Sequence, residues 1–377
     1  MCPDKATSTY KLIASYKENI LIGRAQGSFP KWSDRFLLFC EQTADRTLKF
    51  VESLPEKHSS GAISGEDYSS LLSAIMQSWE LLHTFIKPVL DANTLKVPYP
   101  FIDFIVHHIG RLHIVEGAKF VIETSSGLDY FQRAHTRLKE PLLVLRLLLD
   151  GPELDFPLGF LGLPCSQNKS LFMNCLLYHE VGHYIAEEAG ILSVEDYENL
   201  TKELGRQFAE FSRWATTILV RWMQELFADL VAARLAGLAY TLAYAQLLRH
   251  VSDLPEGEQA WRFSGTHPAD VLRLNQQLVV LRDDGWADYY PDSQEWRKLC
   301  QMVEDPEVSR YLPPSEDTID PQIADMFRTL IRALHDRKDF LQRRVSTLLS
   351  DRRNPQEIYG QYKDKVRESL EHGIVPS

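Results

Sequence analysis

The sequence has few cysteines, and they are not arranged as disulfide-forming pairs. The five cysteines are an odd number, and no Cys-x-x-Cys pair occurs. Small secreted proteins that depend on a disulfide framework carry even numbers of cysteines at regular spacing. The sequence therefore favours a reducing compartment, and we predict a cytoplasmic location.

Long apolar segments are also missing. The longest uncharged apolar run, 235–248, has 14 residues, whereas a helix needs about 20 residues to span a bilayer. The first 20 residues carry charges throughout and contain no apolar segment typical of a signal peptide. We predict neither a membrane span nor a secretory signal.

Positive charge is in deficit. Lysine and arginine number 41 against 52 aspartates and glutamates, which gives a net charge of −11. The most basic stretch, 336–344, also contains acidic residues and is typical of a solvated helix face. Nucleic acids and anionic membrane surfaces are therefore disfavoured as partners. The sequence contains neither a glycine-rich phosphate-binding loop nor a Gly-x-Ser-x-Gly nucleophile motif.

What is present is a globular composition with a strong helical pattern. Hydrophobic residues make up 44% of the chain and charged residues 25%, values typical of folded domains. We predict an α+β protein that is predominantly helical. Its three regions are a helical N-terminal region (1–95), a core (96–290) and a helical C-terminal region (291–377).

Three short apolar runs in the core region predict a small sheet. They are apolar or β-branched segments separated by glycine, proline and polar residues, and they lie at 119–124, 141–149 and 154–164. A helix is predicted to follow from about Ser170 to Glu188 and to end at Gly190. Ser193 is the expected N-cap of the next helix, and a later helix is expected to begin near 266–268.

The chemistry is concentrated in the stretch "CLLYHEVGHYIAEE", residues 175–188. His179 and His183 are four residues apart, so on a helix both imidazoles point to one side and can bind one metal ion. Glu180 is rotated by about 100° around the helix axis, where a general base for water can lie without being a ligand. The motif alone occurs by chance in roughly one chain in a hundred of this length.

A third ligand is available in the segment "RWMQELFADLVAARLAG". Glu225 can complete the metal site, and Asp229, one turn later, can accept the second ring N–H of a liganding histidine. Carboxylates among so many apolar residues are costly unless they are paired or bind a metal. The alternatives are that both acids face solvent, or that they pair with Arg221 or Arg234.

Gly182 lies inside the first motif, although glycine costs about 1 kcal/mol in a helix interior relative to alanine. Its presence predicts that another backbone crosses the helix closely at this point. The helix that carries Glu225 is the expected neighbour, and simple tolerance of glycine is the alternative.

Together, His179-Glu180-x-x-His183 and Glu225-x-x-x-Asp229 resemble the gluzincin class of zinc metallopeptidases. "HEVGH", "ELFAD" and the later "THP…R" are most similar to the CAAX prenyl protease and heat-shock membrane protease group. The resemblance covers about residues 140–285. It implies a zincin-like core with a small sheet beside the active-site helix. Proteins of that group carry transmembrane helices, which this sequence lacks.

The resemblance also implies the roles of single residues. His179, His183 and Glu225 would bind one zinc ion per chain, and Glu180 would activate water. A His-Pro with a downstream arginine occupies the place of His267 and Arg273 in the resembling group. We expect His267 to stabilise the oxyanion and Arg273 to orient His267 or to bind a substrate carbonyl. The alternatives are a histidine at a helix N-terminus and a structural ion pair.

Substrate peptides add to an edge strand in zincin folds. The segment 156–164 directly precedes the metal-binding helix and is the candidate for that strand, although a buried strand or loop is an equal alternative.

The sequence thus predicts a zinc-dependent peptidase that acts on peptides or proteins. Two other functions stay open: a zinc-binding scaffold without turnover, and a zinc hydrolase of a non-peptide amide or ester.

Overall fold

The computed structural model describes most of the helical parts of the chain. The described residues are 2–27, 29, 31–94, 119–125, 131–134, 136–149, 158–164, 173–251, 258–286, 297, 300, 308–314 and 320–349. The described residues divide into two compact units, one within 1–169 and the other within 170–377. The first unit therefore contains both the N-terminal helices and the sheet, whereas the sequence-based division places the sheet in the core region 96–290.

Three long helices dominate the first unit: α1 (Cys2–Gln26), α2 (Lys31–Ser59) and α3 (Gly65–Thr94). α2 and α3 are separated at the Ser/Gly-rich stretch "HSSGAISG", residues 58–65. The described residues of 1–95 are thus helical, as the sequence predicts. The helices enclose an apolar core in which Trp79 is fully buried, and the indole of Trp79 donates a hydrogen bond to the hydroxyl of Thr47 at 3.1 Å.

The sheet of the first unit has three strands, β1 (Lys119–Ser125), β2 (Phe131–Ala134) and β3 (Leu158–Pro164). β3 lies in the centre, parallel to β1 on one side and antiparallel to β2 on the other. The strands predicted at 119–124 and 154–164 are confirmed as β1 and β3 over their described residues. The predicted fold class, a predominantly helical α+β structure, is also confirmed. Of the two equal alternatives for this segment, an edge strand or a buried strand or loop, the structure shows the buried strand, because β3 is paired on both sides.

The strand predicted at 141–149 is wrong, because this run belongs to helix α4 (Thr136–Leu149). Leu145 is buried, whereas Leu143 and Leu147 are largely exposed. A continuous leucine-rich run does not distinguish a buried strand from a helix by periodicity, and the helix propensity of leucine decides in favour of the helix.

The second unit is built around one long helix. Its helices are α5 (Leu177–Ala189), α6 (Val194–Phe208), α7 (Ser212–Ala236), α8 (Leu238–Val251), α9 (Asp270–Asp283), α10 (Pro321–His335) and α11 (Lys338–Leu348). All the others pack against α7. As a result α7 is buried on most of its circumference between Ala215 and Ala236.

The predicted C-terminal end of the helix that carries the first motif is confirmed, whereas the α-helix begins at Leu177, later than predicted. A short 3-10 turn (Met173–Leu176) leads into α5, and Gly190 follows α5 with a positive φ of 65°. Ser193 caps α6 and forms a reciprocal capping box with Asp196, as its position predicts. The helix expected near 266–268 begins later, at Asp270.

The helical C-terminal prediction is confirmed for α10 and α11, whereas most of 291–319 and everything from 350 onwards lie outside the described residues. None of the described helices is long and apolar enough to cross a membrane.

Candidate metal centre

The two helices that carry the predicted ligands cross at a glycine. A Cβ atom placed on Gly182 of α5 would lie 2.5 Å from the Cα and 2.7 Å from the carbonyl oxygen of Ala228 in α7. No side chain fits at such distances, so only glycine allows the two backbones to approach this closely. The predicted close crossing is confirmed, and it brings the α5 histidines next to the α7 carboxylates.

At this crossing, His179, His183 and Glu225 form a group that can hold a metal ion. We call these three side chains the ligand triangle; one ligand atom from each lies within 4.8 Å of the other two. The two histidine Nε2 atoms are 3.0 Å apart, and Glu225 lies 3.4 Å from each of them, through Oε2 to His179 and through Oε1 to His183.

The triangle has the size that a zinc ion requires. Ligand atoms about 2.0–2.1 Å from a tetrahedral zinc ion are separated from one another by roughly 3.3 Å. The three observed separations lie around this value. Among the residues that the structure describes, these three form the only such group. Three protein ligands are typical of catalytic zinc sites, whereas structural sites use four.

Asp229 contacts the ring nitrogen of His179 that does not belong to the ligand triangle. Its Oδ1 lies 2.9 Å from Nδ1 of His179, so the carboxylate accepts the Nδ1–H and leaves Nε2 free to bind a metal. This is the usual arrangement for a histidine that ligates zinc, and it is the arrangement expected from the spacing of Glu225 and Asp229 along α7.

Arg273 reaches the same two carboxylates from α9. Its Nε donates to Oδ2 of Asp229 at 2.6 Å and its Nη2 to Oδ1 at 3.0 Å, while Nη2 lies 3.3 Å from Oε2 of Glu225. The guanidinium is buried and sits over the ring of Tyr244 at 4.8 Å. These contacts are the ion pair that was the alternative expectation for Arg273, and they place its guanidinium against two carboxylates of the centre.

The structure also resolves the alternative partners of the α7 acids. Arg234 pairs with Asp284 at 2.9 Å, and Arg221 is exposed. Glu225 and Asp229 instead face the two histidines and Arg273.

Glu180 follows His179 on α5 and is buried. It is not part of the ligand triangle, but its negative charge contributes to the raised pKa of His179. This combination of proximity to the ligands and separation from the triangle is what a general base requires.

His267 approaches the ligands from the solvent side. Its Nε2 lies 3.8 Å from Oε1 of Glu225, and 53% of its side chain is exposed. Its Nδ1 lies 2.8 Å from the hydroxyl of Thr266. The structure therefore places one predicted oxyanion donor beside the ligand cluster with a ring nitrogen directed toward it.

The net negative charge around the ligand triangle favours the binding of a cation. The carboxylates of Glu225 and Asp229 contact the guanidinium of Arg273, and Glu180 adds a third buried carboxylate on α5. With neutral histidines the formal charge of these four groups is −2. Burial lowers the pKa of His179, but Asp229 and Glu225 outweigh it and raise the pKa to about 10. In the metal-free site a proton on His179 thus supplies part of the positive charge that a divalent ion would provide.

The other two ligands have lowered pKa values. Burial and the neighbouring His179 lower the pKa of His183 to about 4. Burial opposes the shift at Glu225, but the hydrogen bond with His179 and the charge of Arg273 lower its pKa to about 2. Near neutral pH, both groups are therefore in the deprotonated form that binds metal.

One member of the centre was not expected from the sequence. Tyr240 of α8 is fully buried and donates a hydrogen bond to Oδ1 of Asp229 at 2.6 Å. The signal available in the sequence is the pair Tyr240 and Tyr244 in an otherwise apolar helix, because buried tyrosine hydroxyls generally need partners.

A pocket of about 410 Å³ lies at the C-terminal end of α5. It is lined by residues of α5, α6, α7 and the α5–α6 connection, among them Ala186, Glu187, Val194, Tyr197 and Gln224. Ala186 and Glu187 come three and four residues after His183, so the recess begins about one helical turn beyond the ligand triangle.

Comparison of the chain with protein families, with curated proteins and with solved structures found no match. Functional conclusions therefore rest on the residues and geometry of the centre itself.

Proposed function

We propose that this protein is a zinc-dependent peptidase with one zinc ion per chain, bound by His179, His183 and Glu225. The observation that carries the proposal is the ligand triangle, whose three side chains approach one another to 3.0–3.4 Å, close to the spacing of ligand atoms around a tetrahedral zinc ion. The zincin-like core implied by the resemblance and the cytoplasmic location remain predictions.

The bound zinc ion would supply the Lewis acidity that makes water a nucleophile near neutral pH. The Glu180 carboxylate then accepts a proton as the water attacks the peptide carbonyl carbon. The same carboxyl group passes that proton to the nitrogen of the leaving amine, so Glu180 returns to its ionised form. His267 donates a hydrogen bond from its ring to the carbonyl oxygen as negative charge develops there.

The presence of Glu180 favours hydrolysis over a scaffold role. Zinc binding needs only the three ligands and their support, whereas hydrolysis also needs a carboxylate near the ligands that does not itself bind the metal. Identification of the reaction products distinguishes a peptide substrate from a non-peptide amide or ester.

The test is incubation of the zinc-loaded protein with a diverse peptide library, followed by mass spectrometry. Wild-type protein is expected to generate new peptide termini, and Glu180→Gln with equal zinc content is expected to generate none. Wild-type protein that carries zinc yet leaves peptides intact while hydrolysing model esters or amides would move the function to a non-peptide hydrolase. Zinc without any hydrolysis would favour the scaffold.

A further inference from the structure

The hydroxyl of Tyr240 is connected to His179 through a short hydrogen bond to Asp229, and it also lies 3.4 Å from Nδ1 of His179. It donates to Oδ1 of Asp229 at 2.6 Å, and the same oxygen lies 2.9 Å from Nδ1 of His179. The rings of Tyr240 and His179 are nearly parallel, with 5° between their planes and 6.5 Å between their centroids. Tyr240 therefore lies against both Asp229 and the His179 imidazole that Asp229 orients.

Asp229 is held by donors on both of its oxygens. Oδ2 accepts from Nε of Arg273, and Oδ1 accepts from Nη2 of Arg273 and from Tyr240. The side chain has no exposed surface, so each of these hydrogen bonds replaces water that the carboxylate has lost. The two donors approach from α8 and α9, and together they fix the direction in which Asp229 faces His179.

We propose that Tyr240 is a positioning residue of the metal centre, whose hydroxyl orients Asp229 and through it holds Nε2 of His179 toward the metal. This inference rests on the metal site of the proposed function, but not on peptide hydrolysis. Arg273 supplies the charge that keeps Asp229 ionised, and Tyr240 supplies a neutral donor that sets its rotation.

The chain offers a matched control in Tyr244. Tyr244 lies one turn later on α8, is also buried, and also donates its hydroxyl to a carboxylate, Oδ1 of Asp270, at 3.0 Å. Asp270 begins α9 and does not belong to the ligand triangle. Tyr240→Phe and Tyr244→Phe both keep the ring, including the contact of the Tyr244 ring with Arg273, and each removes one hydroxyl from the same helix. Only the Tyr240 hydroxyl donates to a carboxylate that contacts a proposed metal ligand.

The experiment measures zinc affinity by competition with a chromophoric chelator, together with the thermal unfolding of the metal-free proteins. Tyr240→Phe is expected to weaken zinc binding about tenfold, the lower end of the range for lost support of a metal ligand. Tyr244→Phe is expected to stay within about twofold of wild type. Equal zinc affinities in the two variants would overturn the proposal.

A double-mutant cycle with Asp229→Asn separates positioning from a general structural effect. If Tyr240 acts through Asp229, Tyr240→Phe adds little further loss of zinc affinity in the Asp229→Asn protein. Fully additive losses would overturn the proposal, and the Asp229→Asn arm alone still reports whether the support of His179 matters for zinc. Normal zinc affinities in every variant with intact peptidase activity would reject this inference alone. The expected affinities without any peptide cleavage would reject only the peptidase.

Discussion

Gly182 and Ala228 mark the point where the backbones of α5 and α7 are closest, with 2.5 Å between a Cβ built on Gly182 and the Cα of Ala228. The ligand triangle depends on this approach, because His179 and His183 lie on one of these helices and Glu225 on the other.

The first prediction concerns this crossing. Gly182→Ala should destabilise the protein by about 1–3 kcal/mol or more, the usual cost of forcing extra volume into a packed interior. The added methyl group meets backbone, which cannot rotate away. Gly205→Ala is the control, since Gly205 is also helical but its Cβ would lie 3.7 Å from the nearest atom, an ordinary contact. Gly205→Ala should be neutral or stabilising, as measured by thermal and urea unfolding. Equal stabilities of the two variants would contradict the close crossing.

The second prediction concerns metal content. Purified protein should carry about one zinc ion per chain, as measured by elemental analysis. His183→Ala and Glu225→Ala should each lose most of it, because two ligands bind zinc far more weakly than three. Glu195→Ala, which removes an exposed acid from α6, should keep the full amount. Full zinc in both ligand variants would show that the ion binds elsewhere.

The third prediction separates the base from the ligands. Glu180→Gln should retain zinc and the folded state but lose nearly all hydrolysis, since an amide does not accept the proton of the attacking water. Activity is compared on any peptide identified from the library, with zinc content matched between the proteins. Turnover near the wild-type rate would rule out Glu180 as the base.

The fourth prediction concerns His267, which is exposed and lies beside the ligands. His267→Ala should lower kcat more than it raises KM, because an oxyanion donor acts mainly in the transition state. The expected cost is about 2.7–4 kcal/mol, with zinc content and stability almost unchanged. Arg273→Ala is the contrast: loss of the buried cation beside two carboxylates should reduce both stability and zinc affinity. A His267→Ala protein with wild-type kcat would remove His267 from the mechanism.

The fifth prediction is a pH dependence of metal binding. In the metal-free protein, Asp229 and Glu225 outweigh burial and hold the pKa of His179 at about 10, so its ring is protonated near neutral pH. Zinc must displace one proton, and the apparent affinity should therefore rise with pH, by up to tenfold per unit, until His179 titrates. His183, with a pKa of about 4, should release almost no proton above pH 6.

Calorimetric titration at pH 6 in two buffers of different ionisation enthalpy measures this proton release. The acidic pH keeps the ionisation of water on zinc, expected near pH 7, from adding a second proton. Release of about one proton is expected, and a value near zero would contradict the protonation of His179.

The sequence was sufficient for the parts of the centre that follow from helical spacing. His179 and His183 share one side of α5, Glu225 and Asp229 share one side of α7, and Gly182 indicates where these helices cross. Each of these inferences needs only the 3.6-residue period and the cost of glycine in a helix.

Other parts depend on tertiary contacts that no local pattern specifies. Tyr240 joins the centre because α8 packs against the 3-10 turn that leads into α5. Arg273 faces Asp229 because α9 packs against α7. The central position of β3 depends on pairing with β1 and β2, which are distant in the chain. The leucine-rich run in α4 is equally apolar as strand or helix, so its periodicity alone did not decide the matter.

The placement of Glu225 and Asp229 on one rigid helix has a mechanical consequence. Glu225 and Asp229 are separated by a rise of about 6 Å along α7. In the proposed site Glu225 binds the metal, and Asp229 orients His179, which binds the same metal. Any tilt or slide of α7 displaces both at once, and the helices packed around α7 resist such movement. Damage to the packing of this helix should therefore abolish metal binding abruptly, in an all-or-none manner, while leaving few proteins with a partly weakened site.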